Sequence, residues 1–279
     1  MKNYTRTFQR LASLSAFTLI FISRPHALAA QPVGPTGPYG FLIHSTFTGL
    51  TQGPTFPTGV AILGVTTFDG AGNVAGSYTY EIDTNSSQVP HTTRGTLAGT
   101  YTTNPDGSGN MIVTLDLGVT LTMNTVLAEG GNSLRLLATN FTFPSPNCGC
   151  SIAGMLLTGI ARAKPAASLS GSFASEYTIL PNASATAGTA TFDGAGNVTV
   201  SATFMGSADS NGVPPAASPY TQAGTYTVNP DGTGAINLPA GQFNAQTWIF
   251  VTTDNGSGIL WMQTDRPGSG VAFGICHMQ

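Results

Sequence analysis

"ATFDGAGNV", Ala190–Val198, repeats "TTFDGAGNV", Thr66–Val74, and that repetition decides how the chain is built. A second pair lies downstream of each copy: "AGTYTTNPDGSG" at Ala98–Gly109 returns as "AGTYTVNPDGTG" at Ala223–Gly234. The first pair is displaced by 124 residues and the second by 125, so the whole stretch between them is duplicated. A period this long exceeds the roughly 20–50 residues of solenoid repeats, so each copy reads as a domain. The joint falls at "ARAKPAAS", Ala161–Ser168, which divides the chain after residue 30 into copies at 31–163 and 164–279.

Turn chemistry cuts each copy into strands. In "NPDG", Asn229–Gly232, Asn stands at the first turn position, Pro at the second with its preset φ, and Gly at the fourth. A type I turn closed by a glycine bulge is a common hairpin connection. Read as a calcium loop, "DGAGN" or "NPDG" offers one carboxylate, whereas calcium takes six to eight oxygens, usually from several. These are corners between strands. The pieces between them, such as "NVTVSATFM", "QTWIFVTT" and "GILWMQT", number about eight per copy and are rich in Thr, Val and aromatic residues. Eight short strands joined by short loops predict an all-β fold of two tandem eight-stranded antiparallel up-and-down barrels, each closed so that no edge is free.

Alternation along a strand assigns the faces. Val198, Val200, Ala202 and Phe204 share one face against Thr199, Ser201 and Thr203. Tyr226 opposes Thr225 and Thr227, Trp248 sides with Phe250, Ile259 with Trp261, and Phe173 with Tyr177 and Ile179. The expected interior of the second barrel is therefore aromatic, and Phe173, Tyr177, Phe204, Tyr226, Trp248, Phe250 and Trp261 are its candidate ligand-binding residues. An eight-stranded barrel is either filled by its own side chains or holds one small ligand. Arg135, between Leu134 and Leu136, falls on the outer face.

The first thirty residues read as a secretory signal peptide. Lys2, Arg6 and Arg10 precede the apolar "LASLSAFTLIFIS", and "ALA" at Ala27–Ala29 supplies small residues for cleavage. The apolar run is short for a membrane span. The expected location is secreted, periplasmic or cell-surface, with cleavage near Ala29. Beyond it, five basic residues (Arg94, Arg135, Arg162, Lys164, Arg266) face twelve acidic ones, and charged residues make up 8% of the whole chain. Without a basic cluster, nucleic acid and anionic membranes are poor partners. Cys148, Cys150 and Cys276 leave one thiol over in any pairing, and export permits a disulfide between Cys276 and one of the others.

The residues point to no catalytic chemistry. His44, His91 and His277 do not recur between the copies and read as solvated or loosely packed rings. There is no G-x-S-x-G elbow, P-loop or dinucleotide glycine pattern. Glu81, Asp83 and Glu176 are carboxylates without a sequence reason to pair. No metal ligand set and no cofactor is expected.

The strand layout, with the repeated "FDGAGNV" and "GTYTVNPDGTG", resembles exported bacterial proteins built from such units. It also resembles the calycin group (lipocalins and fatty-acid-binding proteins) and the allene-oxide-cyclase-like barrels. The resemblance implies a barrel with ligand binding and carries over no catalytic residue. Three functions follow as expectations. The first is non-enzymatic binding of a small apolar molecule, favoured in the second copy. The others are a structural or adhesive role in the cell envelope, and an isomerase or cyclase using a barrel pocket.

Overall fold

The computed structural model describes residues 34–46, 59–83, 91–142, 156–163, 165–180, 184–206, 215–241, 243–264 and 270–279. The signal-peptide reading of 1–30 and the Cys148/Cys150 pair lie outside them, as do the side chains of Asp83 and His91.

The first copy forms β1 (Thr36–Thr46), β2 (Gly59–Asp69), β3 (Asn73–Asp83), β4 (His91–Thr103), β5 (Ser108–Leu115), β6 (Thr120–Ala128), β7 (Ser133–Thr142) and β8 (Leu156–Ala163). The second forms β9 (Ser170–Leu180), β10 (Ser184–Asp193), β11 (Asn197–Met205), β12 (Ser218–Val228), β13 (Thr233–Leu238), β14 (Gln246–Thr253), β15 (Gly258–Thr264) and β16 (Val271–Met278). Each set pairs antiparallel in chain order and closes, β1 on β8 and β9 on β16. The expected fold class is the observed one. The helical elements described are single 3-10 turns at Glu129–Gly131 and Asp254–Gly256, at matching places in the two barrels. Among the described residues no helix is long and apolar enough to cross a membrane.

The corners explain why the copies close alike. Asp69 Oδ1 accepts from the backbone N–H of Ala71 at 2.7 Å and of Asn73 at 2.9 Å, while Asn73 Nδ2 donates to Oδ2 at 2.6 Å. Asp193 makes the same three bonds with Ala195 and Asn197 at the same distances. These donors, the Asn side chain first, hold both carboxyls below the usual carboxylate range. In the other corner Gly107 and Gly232 donate to Asn104 O and Asn229 O at 2.9 Å, with φ of 84° and 83°. That is the type I turn with a left-handed glycine. The aspartate oxygens serve their own loops, as corners require.

Inside each barrel, alternate residues from all eight strands meet in one apolar cluster. One end of each is latched alike: Tyr101 Oη donates to Pro35 O at 2.9 Å and Tyr226 Oη to Leu169 O at 2.6 Å.

A third cluster belongs to neither interior. Leu42, Ala61, Leu63 and Ile160, on the outer faces of β1, β2 and β8, pack with Ile249, Val251, Leu260, Met262, Val271 and Phe273 on β14–β16. The two barrels thus form one compact unit. Leu42 is 1% exposed and Leu260 0%. The approach is close enough to need a glycine, since a Cβ at Gly40 would lie 2.5 Å from Val251 Cγ1. Polar contacts add to it. Arg162 Nη1 lies 3.2 Å from Asp254 Oδ2 across the barrels and 3.5 Å from Glu129 Oε2. Ala166 N in the linker donates to Thr252 Oγ1 at 2.7 Å. On these six strands the outer surface is an apolar face, unlike the faces that carry Thr199, Ser201 and Thr203 or Thr225 and Thr227.

Candidate functional site

Six of the seven aromatic candidates are buried in the interior of the second barrel, and the seventh, Phe204, is partly buried against them. They contact one another. Trp248 lies 5.0 Å from Trp261 and 4.8 Å from Tyr177, ring centroid to centroid. Phe192 sits edge-on between Phe173 at 5.5 Å and Tyr226 at 5.0 Å. Edge-to-face packing at these distances is favourable in itself. The polar handles are also engaged: Trp261 Nε1 donates to Glu176 O at 3.2 Å, and Trp248 Nε1 to Gln246 Oε1 at 3.0 Å. Tyr177 Oη and Tyr220 Oη lie 3.4 Å apart, and burial, with Tyr177 beside it, raises the Tyr220 hydroxyl above the ordinary phenol range. The Tyr220 hydroxyl stays neutral. Along these rings the barrel is occupied by its own side chains. The first barrel, with Met123 and Leu136 where the second has Trp248 and Trp261, holds a cavity of about 20 Å³ among Phe41, Phe68, Met111 and neighbours. That is room for a water, which needs about 10–15 Å³.

The larger space is created by the contact between barrels. Two convex surfaces touching along one apolar stripe leave a groove on either side of it. One groove has a volume of about 310 Å³ and carries Arg94 from β4 on one wall and Asp231 from the "NPDG" corner on the other. The other has a volume of about 810 Å³. Its first wall comes from β1, β7 and β8 and its second from β9, β10, β11 and β16. Leu42, Ile160, Phe273, Ile275 and Met205 line it, with the side chains of Arg135, Glu176 and His44 among them.

His44 is placed by the strand parity that turns Leu42 outward. Its ring stacks on Phe273 of the opposite barrel, centroids 4.1 Å apart and planes 21° from parallel. Its Nδ1 lies 3.4 Å from Ser45 O. Burial lowers its pKa from the ordinary 6.5, only partly offset by that backbone contact, so the ring is neutral at pH 7. The expectation of a solvated or loosely packed ring is therefore corrected for His44: the neighbouring barrel covers it. His277 is exposed. Arg135 is exposed on the outer face, as its alternation requires, and among the described residues it forms no ion pair. Cys276 is buried with a free thiol whose pKa burial pushes well up.

Reasoning from the sequence missed the cleft. The signal that could have found its walls is the unbroken apolar run "WIFV", Trp248–Val251, and likewise "FLI", Phe41–Ile43. A strand apolar on both faces is buried on both faces. Which outer faces meet is a matter of docking, and no local pattern records it.

No family model matches the chain, and no curated protein matches it. Among solved structures, it is similar to the crystal structure of kievitone hydratase from Nectria haematococca, at 9% identity and a TM-score of 0.31, with 88% of this chain and 90% of that chain covered. At that score the likeness carries no argument about function.

Proposed function

We propose that the protein is an exported, non-enzymatic binder of a small, largely apolar molecule, held in the cleft between its barrels. One observation carries this reading: a concave space of about 810 Å³, walled mainly by apolar side chains with two charged groups, Arg135 and Glu176, among them. Small-molecule sites fall in the range of about 300–1,000 Å³ with that kind of lining. The ligand is thereby moved from the second barrel's interior, where Trp248, Trp261 and Tyr177 fill the space with each other, to the surface where two barrels meet. The stacked pair His44–Phe273 is among the lining residues, and Arg135 and Glu176 are available to a polar end. Export rests on the basic, apolar and small segments of residues 1–30.

The test is titration with the neutral dye Nile red, with native mass spectrometry of whatever co-purifies. Ala185 is an exposed cleft residue, and Ala185→Trp fills the cleft without touching either interior. Dye affinity is expected to fall at least tenfold in Ala185→Trp and to stay unchanged in Trp248→Phe. Binding that survives Ala185→Trp and changes in Trp248→Phe returns the ligand to the barrel and overturns the reading.

A second reading, an isomerase or cyclase in the same cleft, is favoured by His44. A neutral imidazole against an apolar wall is able to accept a proton. If the co-purified molecule is converted to an isomer by fresh protein and not by His44→Gln, catalysis replaces binding.

A further inference from the structure

The interface between the barrels is heterologous. The first barrel contributes β1, β2 and β8, whereas the second contributes β14, β15 and β16, which duplicate β6, β7 and β8. Heterologous contacts that do not close generate open chains of subunits. Each barrel also carries strands whose duplicates dock but which do not dock themselves. The β6–β7 face of the first duplicates the docking face, and β9 and β10 of the second, beside the already docked β16, duplicate the receiving face.

Matched registers allow these free faces to be read position by position. Ile249 pairs with Met262 and Val251 with Leu260; the corresponding pairs in the first barrel are Asn124 with Leu137 and Val126 with Arg135. On the receiving side, Leu42 pairs with Leu63 and Ile160, and the corresponding residue Glu176 pairs with Ala187 and Ile275. Two strand positions earlier, Gly40 becomes Ala174. A Cβ at Gly40 would meet Val251 Cγ1 at 2.5 Å, and Ala174 carries that Cβ. Charges thus stand where the working interface buries Leu260 and Leu42, and a methyl stands where it needs a glycine. Val126 and Leu137 stay apolar and are 51% and 41% exposed, remnants of the docking face.

We infer that Arg135, Asn124, Glu176 and Ala174 keep the chain at two barrels: they disarm both free faces against docking by a second copy. Arg135 and Glu176 also line the cleft, but the inference rests on the duplicated registers and stands whether or not the cleft holds a ligand.

The experiment restores each face separately. One variant, Asn124→Ile/Arg135→Leu, rebuilds the docking face; the other, Ala174→Gly/Glu176→Leu/Ala187→Leu, rebuilds the receiving face. Far-UV circular dichroism and thermal melting first confirm that both are folded. In size-exclusion chromatography with light scattering, the wild type and each variant alone are expected at monomer mass. The mixture is expected to form a complex of twice that mass, at least tenfold enriched over wild type at equal concentration. A mixture that stays monomeric overturns the inference. So does either variant assembling alone, which indicates nonspecific adhesion, or a wild type that already forms chains. A variant that fails to fold is replaced by the single change Arg135→Leu or Glu176→Leu, read in the same mixing assay.

Discussion

Leu260→Ala separates two pictures of this molecule by several kilocalories. Leu260 sits on β15 with its side chain turned away from its own barrel, yet it is 0% exposed because the first barrel covers it. If the barrels were independent, this position would be solvated, and truncation there would stay within about 0.5 kcal/mol. In the docked molecule the change removes three buried carbons at about 0.8 kcal/mol each, or roughly 2.4 kcal/mol of transfer free energy. A cavity that does not collapse raises the loss toward about 5 kcal/mol. For a chain of this size the transfer contribution alone lowers Tm by about 5–10 °C. Urea unfolding measures it with two probes: far-UV circular dichroism sees both barrels, and the fluorescence of Trp248 and Trp261 sees the second. Loss of at least about 2 kcal/mol in both is expected. A loss below about 0.5 kcal/mol refutes the docking and, with it, the cleft.

The duplicated corners give a matched pair: Gly107→Ala is expected to cost about 1 kcal/mol for its positive φ, measured by urea unfolding. Gly232→Ala adds about 1–3 kcal/mol of overpacking, because its Cβ would lie 2.5 Å from Pro165 Cβ in the linker; equal losses would contradict the linker's seat. For His44 the sign runs against acid: the folded chain resists a proton that the unfolded chain accepts, so stability is full above about pH 6.5 and declines as pH falls below it. Urea midpoints from pH 7 to 4.5 should show this decline in the wild type and not in His44→Phe, which keeps the stack. A wild-type profile flat over that range would contradict the burial of His44. The carboxylates with lowered pKa, Asp69 and Asp193 among them, act only as pH falls below about 3.8, which keeps the two windows apart.

The barrels were legible because their information is local. "FDGAGN" and "NPDG" name their own turns, and alternation in "NVTVSATF" assigns an inner face without reference to any other strand. That pattern alone puts Trp248, Phe250 and Trp261 inside, where the structure has them. The same alternation is silent about what covers the outside: turning Trp248 and Phe250 inward turns Ile249 and Val251 outward and leaves their partner unnamed. Their burial depends on Leu42 and Leu63, about two hundred residues earlier in the chain. The cover over His44 is hidden from its own strand for the same reason, since Phe273 supplies it from the other barrel. What strands do within a copy is written in period two; what copies do to each other is written in the differences between them, such as Gly40 against Ala174.

Everything functional here depends on the two outer faces being in contact, and a designed cross-link tests that directly. A Cβ at position 40 would lie 3.3 Å from Val251 Cβ, close to the roughly 3.5–4.5 Å that a disulfide spans. In Gly40→Cys/Val251→Cys, mild oxidation followed by digestion and mass spectrometry should recover the peptide joined through residues 40 and 251 in most molecules. If those cysteines stay unlinked in folded protein, the barrels do not meet as described.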